Sequence, residues 1–210
     1  TFSDDALGSP PDAPEIGSLT PETPVGDIYV VRDSGGLSGK QVLMRRPPVA
    51  TSGDVPRLTA SVTEGEEPAT GVWTVRWRSS VTGIGVGTGL PVAEVRVTDG
   101  FSDGSSSIQA VQFERDDPEN QIVAGSELGT VVGNWTFDTP VLIELVVDLD
   151  AELVDVHVNG TETATGLSFP ETEVADLQDV VFEVSTNTVT DNVVVHDDIE
   201  VIAGDVAGGA

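Results

Sequence analysis

The stretch "VWTVRWRS" at Val72–Ser79 alternates apolar and polar residues with a period of two, and that period constrains the chain more than any other feature. Successive side chains of a strand point to opposite faces, so an alternating run places one face in a core and the other in solvent. The pattern recurs in "VAEVRVTD" (Val92–Asp99), "IQAVQFER" (Ile108–Arg115) and "LVDVHVNG" (Leu153–Gly160). Turn formers separate such runs: "DSGG" at Asp33–Gly36, "DGFSDG" at Asp99–Gly104 and "NG" at Asn159–Gly160. Asn-Gly is a strong hairpin signal, because both central residues of a type I′ turn need positive φ. No stretch sustains a helical period. The segment "ETEVADLQDV" at Glu171–Val180 predicts at most one short turn of helix before a strand. About a dozen strands without helical insertions predict an all-β fold, two antiparallel sheets packed as a β-sandwich.

With 210 residues the chain can bury a large core without staples, and it contains no cysteine that could make one. Nothing marks an internal linker, so residues 1–202 are expected to form a single domain. Within it, Gly8–Gly26 ("GSPPDAPEIGSLTPETPVG") is rich in proline and predicts an extended, irregular strap. The tail Ala203–Ala210 is small-residue and is expected to fray. The sequence opens at Thr1 without a methionine, for which a mature, processed or trimmed N-terminus is the simplest reading.

Charge narrows the partners. Thirty-six acidic residues face nine basic ones, a balance of −27, and Lys40 is the only lysine. Phosphate backbones and anionic membranes would repel this surface, so nucleic acid and lipid surfaces are not expected partners. No apolar run approaches the ~20 residues of a membrane span. Two readings of the charge stand side by side: adaptation to a salty medium, where ions screen self-repulsion, or a surface that keeps an extracellular protein soluble.

The segment Gly133–Phe169, "GNWTFDTPVLIELVVDLDAELVDVHVNGTETATGLSF", opens a strand with Trp135, follows with an apolar strand ending Val-Asp-Leu, and closes on Asn-Gly. That order resembles the concanavalin A-like (laminin-G-like) jelly rolls of lectins, glucanases and many secreted bacterial modules. The closing "DDIEV" at Asp197–Val201 is similar to the last strand of that superfamily, and the opening "TFSDDALGSPPDAP" to the start of many bacterial members. The resemblance implies a jelly-roll sandwich. It does not assign an activity, because the superfamily hosts hydrolases, lyases, lectins and structural layers.

Glycoside hydrolysis needs two facing carboxylates. Glu114, Asp116 and Glu119 in "ERDDPE" match the Glu-x-Asp-x-x-Glu spacing of laminarinase-like relatives. The intervening Arg115, Asp117 and Pro118 are not the apolar residues such a strand requires, so the stretch reads better as an acidic loop ending a strand. His157 alternates with Asp155 and Asn159 on an outward face, and His196 is read as a similar solvent-facing strand histidine; neither is tied to a serine. Trp73, Val75 and Trp77 share a face expected to be core, which leaves Arg76 and Arg78 opposite them. Arg96 alternates in the same way on its own strand. Were those strands neighbours, Arg76, Arg78 and Arg96 could grip carboxylated or sulfated sugars with their guanidinium forks. The competing reading pairs them with Glu94 and Glu114 across the ladder.

Several β-sandwich modules like those named above bind a structural calcium where the first strand meets a terminal Asp-Asp pair. By that resemblance Asp4, Asp5, Asp197 and Asp198 are the expected oxygen ligands, unless Asp197 simply meets water or caps a local turn. Taken together, the sequence leads first to a secreted, non-catalytic lectin-like module that binds polysaccharide, cell-surface glycan or extracellular matrix. Second comes a structural surface protein (coat, filament or virion-decoration subunit) assembling with copies of itself. Third comes a glycoside hydrolase. All three place the chain outside the cell or on a surface.

Overall fold

Fourteen strands and no helix account for the regular structure of the described residues. The computed structural model describes residues 7–8, 18–22, 27–46, 56–62, 70–83, 90–99, 107–115, 119–125, 129–170, 176–184, 192–205 and 207. In chain order the strands are β1 (Ser18–Glu22), β2 (Asp27–Arg32), β3 (Lys40–Arg46), β4 (Arg57–Ser61), β5 (Val72–Gly83), β6 (Leu90–Thr98) and β7 (Ser107–Arg115). They continue as β8 (Asn120–Ala124), β9 (Thr130–Asn134), β10 (Val141–Asp148), β11 (Leu153–Val158), β12 (Thr161–Ser168), β13 (Asp179–Val184) and β14 (Asn192–Ala203). They form two seven-stranded sheets, ordered β1-β4-β13-β6-β7-β8-β9 and β12-β11-β10-β5-β14-β3-β2, and every recorded pairing is antiparallel. The all-β sandwich is the expected one.

Alternation decides which side chains meet between the sheets. Val75 and Trp77 of β5 point inward, as do Ile143, Leu145 and Val147 of β10, and all are fully buried. From the first sheet Val95 and Val97 of β6 and Val180, Phe182 and Val184 of β13 meet them. Trp77 and Phe182 touch edge to face across the sandwich, with centroids 6.1 Å apart. Burying each such side chain contributes roughly 1.5–3 kcal/mol, so this inner layer is the main source of stability. The β11–β12 hairpin turns on Asn159 and Gly160, at φ 52° and 73°, the left-handed pair that a type I′ turn demands.

Two expectations need correction here, and a third falls partly outside the described residues. The proline-rich strap is not wholly irregular: Ser18–Glu22 pairs with β4 as the edge strand β1. Pro21 is tolerated because an edge strand leaves one row of amides outside the ladder. The last strand runs to Ala203, and the Gly204 amide then donates to the Val72 carbonyl at 2.7 Å, so the tail begins one residue later than its composition implies. No helical turn occurs over Asp176–Gln178, and β13 starts at Asp179; Glu171–Ala175 lie outside the described residues.

The charge balance predicts a salt response. Arg57, Arg76, Arg78 and Arg96 all pair with carboxylates, which leaves a large surplus of anions to repel one another. Raising NaCl from ~0.1 to ~1 M shortens the Debye length from about 10 to about 3 Å. The melting temperature should therefore climb, by roughly 5 °C or more for a gain of about 2 kcal/mol in a chain this long. Sodium chloride is the proper salt, since sulfate strengthens apolar burial whatever the charge. A flat or falling profile in a thermal scan would refute tuning of this surface to brine.

Candidate functional site

The outer faces of the two sheets differ in what they present. On the second sheet, the β2–β3 turn lies over one end of β5. A Cβ on Gly35 (φ 60°) would come within 2.8 Å of Thr82 Cγ2, and one on Gly36 (φ 79°) within 2.5 Å of the Asp138 carbonyl. Leu142, Val146 and Val195 are also buried on the outward side of this sheet. Its ions pair locally: Arg76 with Glu200 at 2.6 Å and Arg78 with Asp198 at 3.1 Å. Glu144 is fully buried there, in register between Arg76 and His157.

The outer face of the first sheet carries a connected polar array across four adjacent strands. Glu183 of β13 stands directly opposite Arg57 of β4 on one side and Glu94 of β6 on the other. Glu94 in turn stands opposite Gln112 of β7. Arg57 donates to Glu183 Oε1 from Nε at 2.6 Å, and Arg96 Nη2 reaches Glu183 Oε2 at 2.5 Å. Arg96 Nε also lies 2.8 Å from Glu94 Oε1, while Gln112 Nε2 donates to Glu94 Oε2. One guanidinium thus bridges two carboxylates. These side chains remain partly open to solvent, Arg96 at 29% and Glu94 at 21%, so a ligand on the sheet can reach them. Arg96 thereby holds an oxygen of Glu94 and an oxygen of Glu183 beside the same guanidinium, so the two carboxyl groups stand close together on this face.

The sequence anticipated these positions unevenly. Arg76 and Arg78 lie on the second sheet and Arg96 on the first, so the three do not converge, and a shared anion grip is excluded. Pairing with carboxylates is found, but not as the ladder reading had it: Arg96 meets Glu94 two residues away on its own strand and Glu183 on the neighbouring one, while Glu200 and Asp198 partner Arg76 and Arg78. His157 does face outward, with Nε2 3.9 Å from Glu162. His196 does not: it is fully buried, Nδ1 sits 2.9 Å from Ser79 Oγ, and its ring lies 4.8 Å from that of Phe182. Burial holds its pKa down, from 6.5 to about 3. Glu114 lies in β7 on the same outer face as Gln112 and Glu119 immediately precedes β8, while Asp116, with Asp117 and Pro118, is outside the described residues.

For the calcium expectation, Asp4 and Asp5 lie outside the described residues. Asp197 Oδ1 accepts the Asp198 amide at 2.9 Å, and burial pushes the Asp197 carboxyl up from the usual range. Asp198 (φ 50°) turns outward to Arg78. Among the described residues no three His, Asp or Glu side chains gather as a metal site.

No protein-family model matches the chain, and no curated protein matches it in sequence. Solved structures do match in fold. An endo-β-1,4-glucuronan lyase from Trichoderma reesei superposes with a TM-score of 0.61 at 11% identity, over 97% of this chain and 99% of that one. A β-glucanase catalytic domain of family GH131 from Podospora anserina gives 0.56 at 12% identity, over 86% and 81%. A sialidase gives 0.60 at 12% identity over 92% of this chain, which spans only 16% of the sialidase. At such identities the likeness shows the fold alone. The company is nonetheless a correction to the first expectation drawn from the sequence. The neighbours are mainly named as enzymes of carbohydrate chemistry, so the non-catalytic lectin-like module is set aside, and the structural surface protein with it.

Proposed function

We propose that this concanavalin A-like jelly roll is an extracellular glycoside hydrolase acting on a polysaccharide bound across the outer face of the first sheet. The observation that carries the reading is the pair Glu94 and Glu183, opposed on neighbouring strands and tied to one guanidinium. Hydrolysis of a glycosidic bond uses two carboxyl groups, one to protonate the departing oxygen and one to support the cationic sugar or attack it. Arg57 and Arg96 hold Glu183 by both oxygens, which fixes it as the negative charge beside the anomeric carbon. Glu94 shares its second oxygen with the neutral Gln112 amide and serves as the proton carrier. The names of the structural neighbours, a β-glucanase and a glucuronan lyase among them, support polysaccharide as the substrate class.

One guanidinium holds an oxygen of each carboxylate and so keeps the two carboxyl groups close, the arrangement of retaining enzymes, so the product should keep its anomeric configuration. A panel of soluble polysaccharides, read by reducing-end release and by proton NMR of the first-formed anomer, tests this. Cleavage with retention is the expected result. A folded protein that releases no ends from any polymer would refute the proposal.

A further inference from the structure

Resting on that hydrolase reading, we infer that the substrate is an uncharged polysaccharide and that the site rejects polyuronates and sulfated glycans. The reason is how its cations are used. Arg57 places both Nε and Nη2 within 2.6 Å of Glu183 Oε1. Arg96 donates from Nη2 to Glu183 and forms an ion pair with Glu94, its Nε 2.8 Å from Oε1. Both guanidiniums of this face among the described residues are therefore committed to the protein's own carboxylates. Recognition of a sugar carboxylate asks for an Arg fork directed at the ligand. Freeing Arg96 for that role would leave Glu183, whose side chain is only 11% exposed, with Arg57 alone and one oxygen uncompensated beside Glu94. Removing one partner from so enclosed a pair is strongly unfavourable.

The surrounding charge acts in the same direction. Asp179 and Glu114 lie on the same outer face as Glu94 and Glu183, so among the described residues of these strands four carboxylates share the face with two guanidiniums, on a chain already at −27. Such a field lowers the local concentration of any polyanion. A neutral glycan meets a favourable surface instead. Its hydroxyl groups donate to the carboxylates, and the Gln112 side chain, a carbonyl and an amide, presents both an acceptor and a donor. The inference also bears on the reaction. Cleavage by elimination draws its proton from the carbon beside a sugar carboxylate, and an uncharged sugar has none, so hydrolysis is the route left to this site.

The test compares one polymer in two charge states. The neutral polysaccharide that is cleaved in the panel, and the same polymer with part of its C6 hydroxyls oxidised to carboxylates, are assayed at ~0.1 M and ~1 M NaCl. The oxidised form should show kcat/KM lower by roughly tenfold or more at low salt, with partial recovery at high salt as the field is screened. The neutral form should keep its KM within about twofold across the same range. Equal or faster cleavage of the oxidised polymer at low salt, or a product carrying an unsaturated uronate end, would overturn the inference while leaving the site on this face. Failure to cleave either form would remove the hydrolase reading, and this inference with it.

Discussion

Glu94→Gln should lower kcat on the natural polysaccharide by about 10²–10⁴-fold, the usual worth of a positioned general acid. Glu183→Gln should cost at least as much, because it removes the fixed charge beside the anomeric centre. The two variants part company on an activated substrate. An aryl glycoside with an acidic phenol departs without needing a proton, so Glu94→Gln should recover most of its first-step rate on it. Glu183→Gln should not recover, because the sugar cation still lacks its partner. Stability must be followed alongside. Glu183→Gln leaves Arg57 and Arg96 without an anionic bridge, at a cost of about 1–3 kcal/mol for groups between the exposed and fully buried cases. A melting curve shows whether lost activity is lost fold. Equal rescue of both variants, or of neither, would remove the division of roles. Undiminished activity in both would move the chemistry away from this face.

The candidate pair was half legible in the sequence. Alternation along "VAEVRVTD" puts Glu94 and Arg96 on one side, as the structure has them, whereas Glu183 was not singled out, although it alternates with the buried Phe182. What a period of two cannot supply is which strands are neighbours. Glu94 and Glu183 are far apart in the chain, and β13 reaches β6 only after β10, β11 and β12 have been placed in the other sheet. The same gap explains the arginines. Strands β5 and β6 are consecutive, yet the chain crosses between sheets from one to the next, so Arg78 and Arg96 finish on opposite sides of the molecule. The arginine grip depended on those strands being neighbours, and only the register of long-range pairs decides that.

His196 shows a different limit. In "NVVVHDD" both faces of the strand carry valine, so alternation groups Val194 with His196 but cannot say which group is buried. The decision comes from packing. Val194 and His196 point between the sheets towards Phe182, and Val195 and Asp197 take the outside. A bulge after Asp197 then breaks the period, which is why Glu200, not Ile199, comes opposite Arg76.

That burial should make His196 the main acid-labile group of the core. Its folded-state pKa is lowered from 6.5 to about 3 by loss of hydration, so the folded protein keeps the ring neutral where the unfolded chain protonates it. Between pH 6.5 and about 3 the unfolded state binds the extra proton, and stability falls as the pH falls. At about 1.4 kcal/mol per pH unit, the loss is about 2 kcal/mol by pH 5 and roughly 5 kcal/mol across the whole window. Two opposing effects run beneath it: acid relieves the excess of negative charge, and the raised Asp197 carboxyl favours the fold when protonated. The clean measurement is therefore a difference. His196→Gln has no group to titrate in this range, although it gives up some packing against Phe182. Its unfolding free energy, from urea titrations at pH 7 and pH 5, should drop less than that of the parent chain by about 2 kcal/mol. Parallel pH profiles would mean that the parent histidine is protonated in the folded core, and the closed packing around Phe182 would then have to open to water.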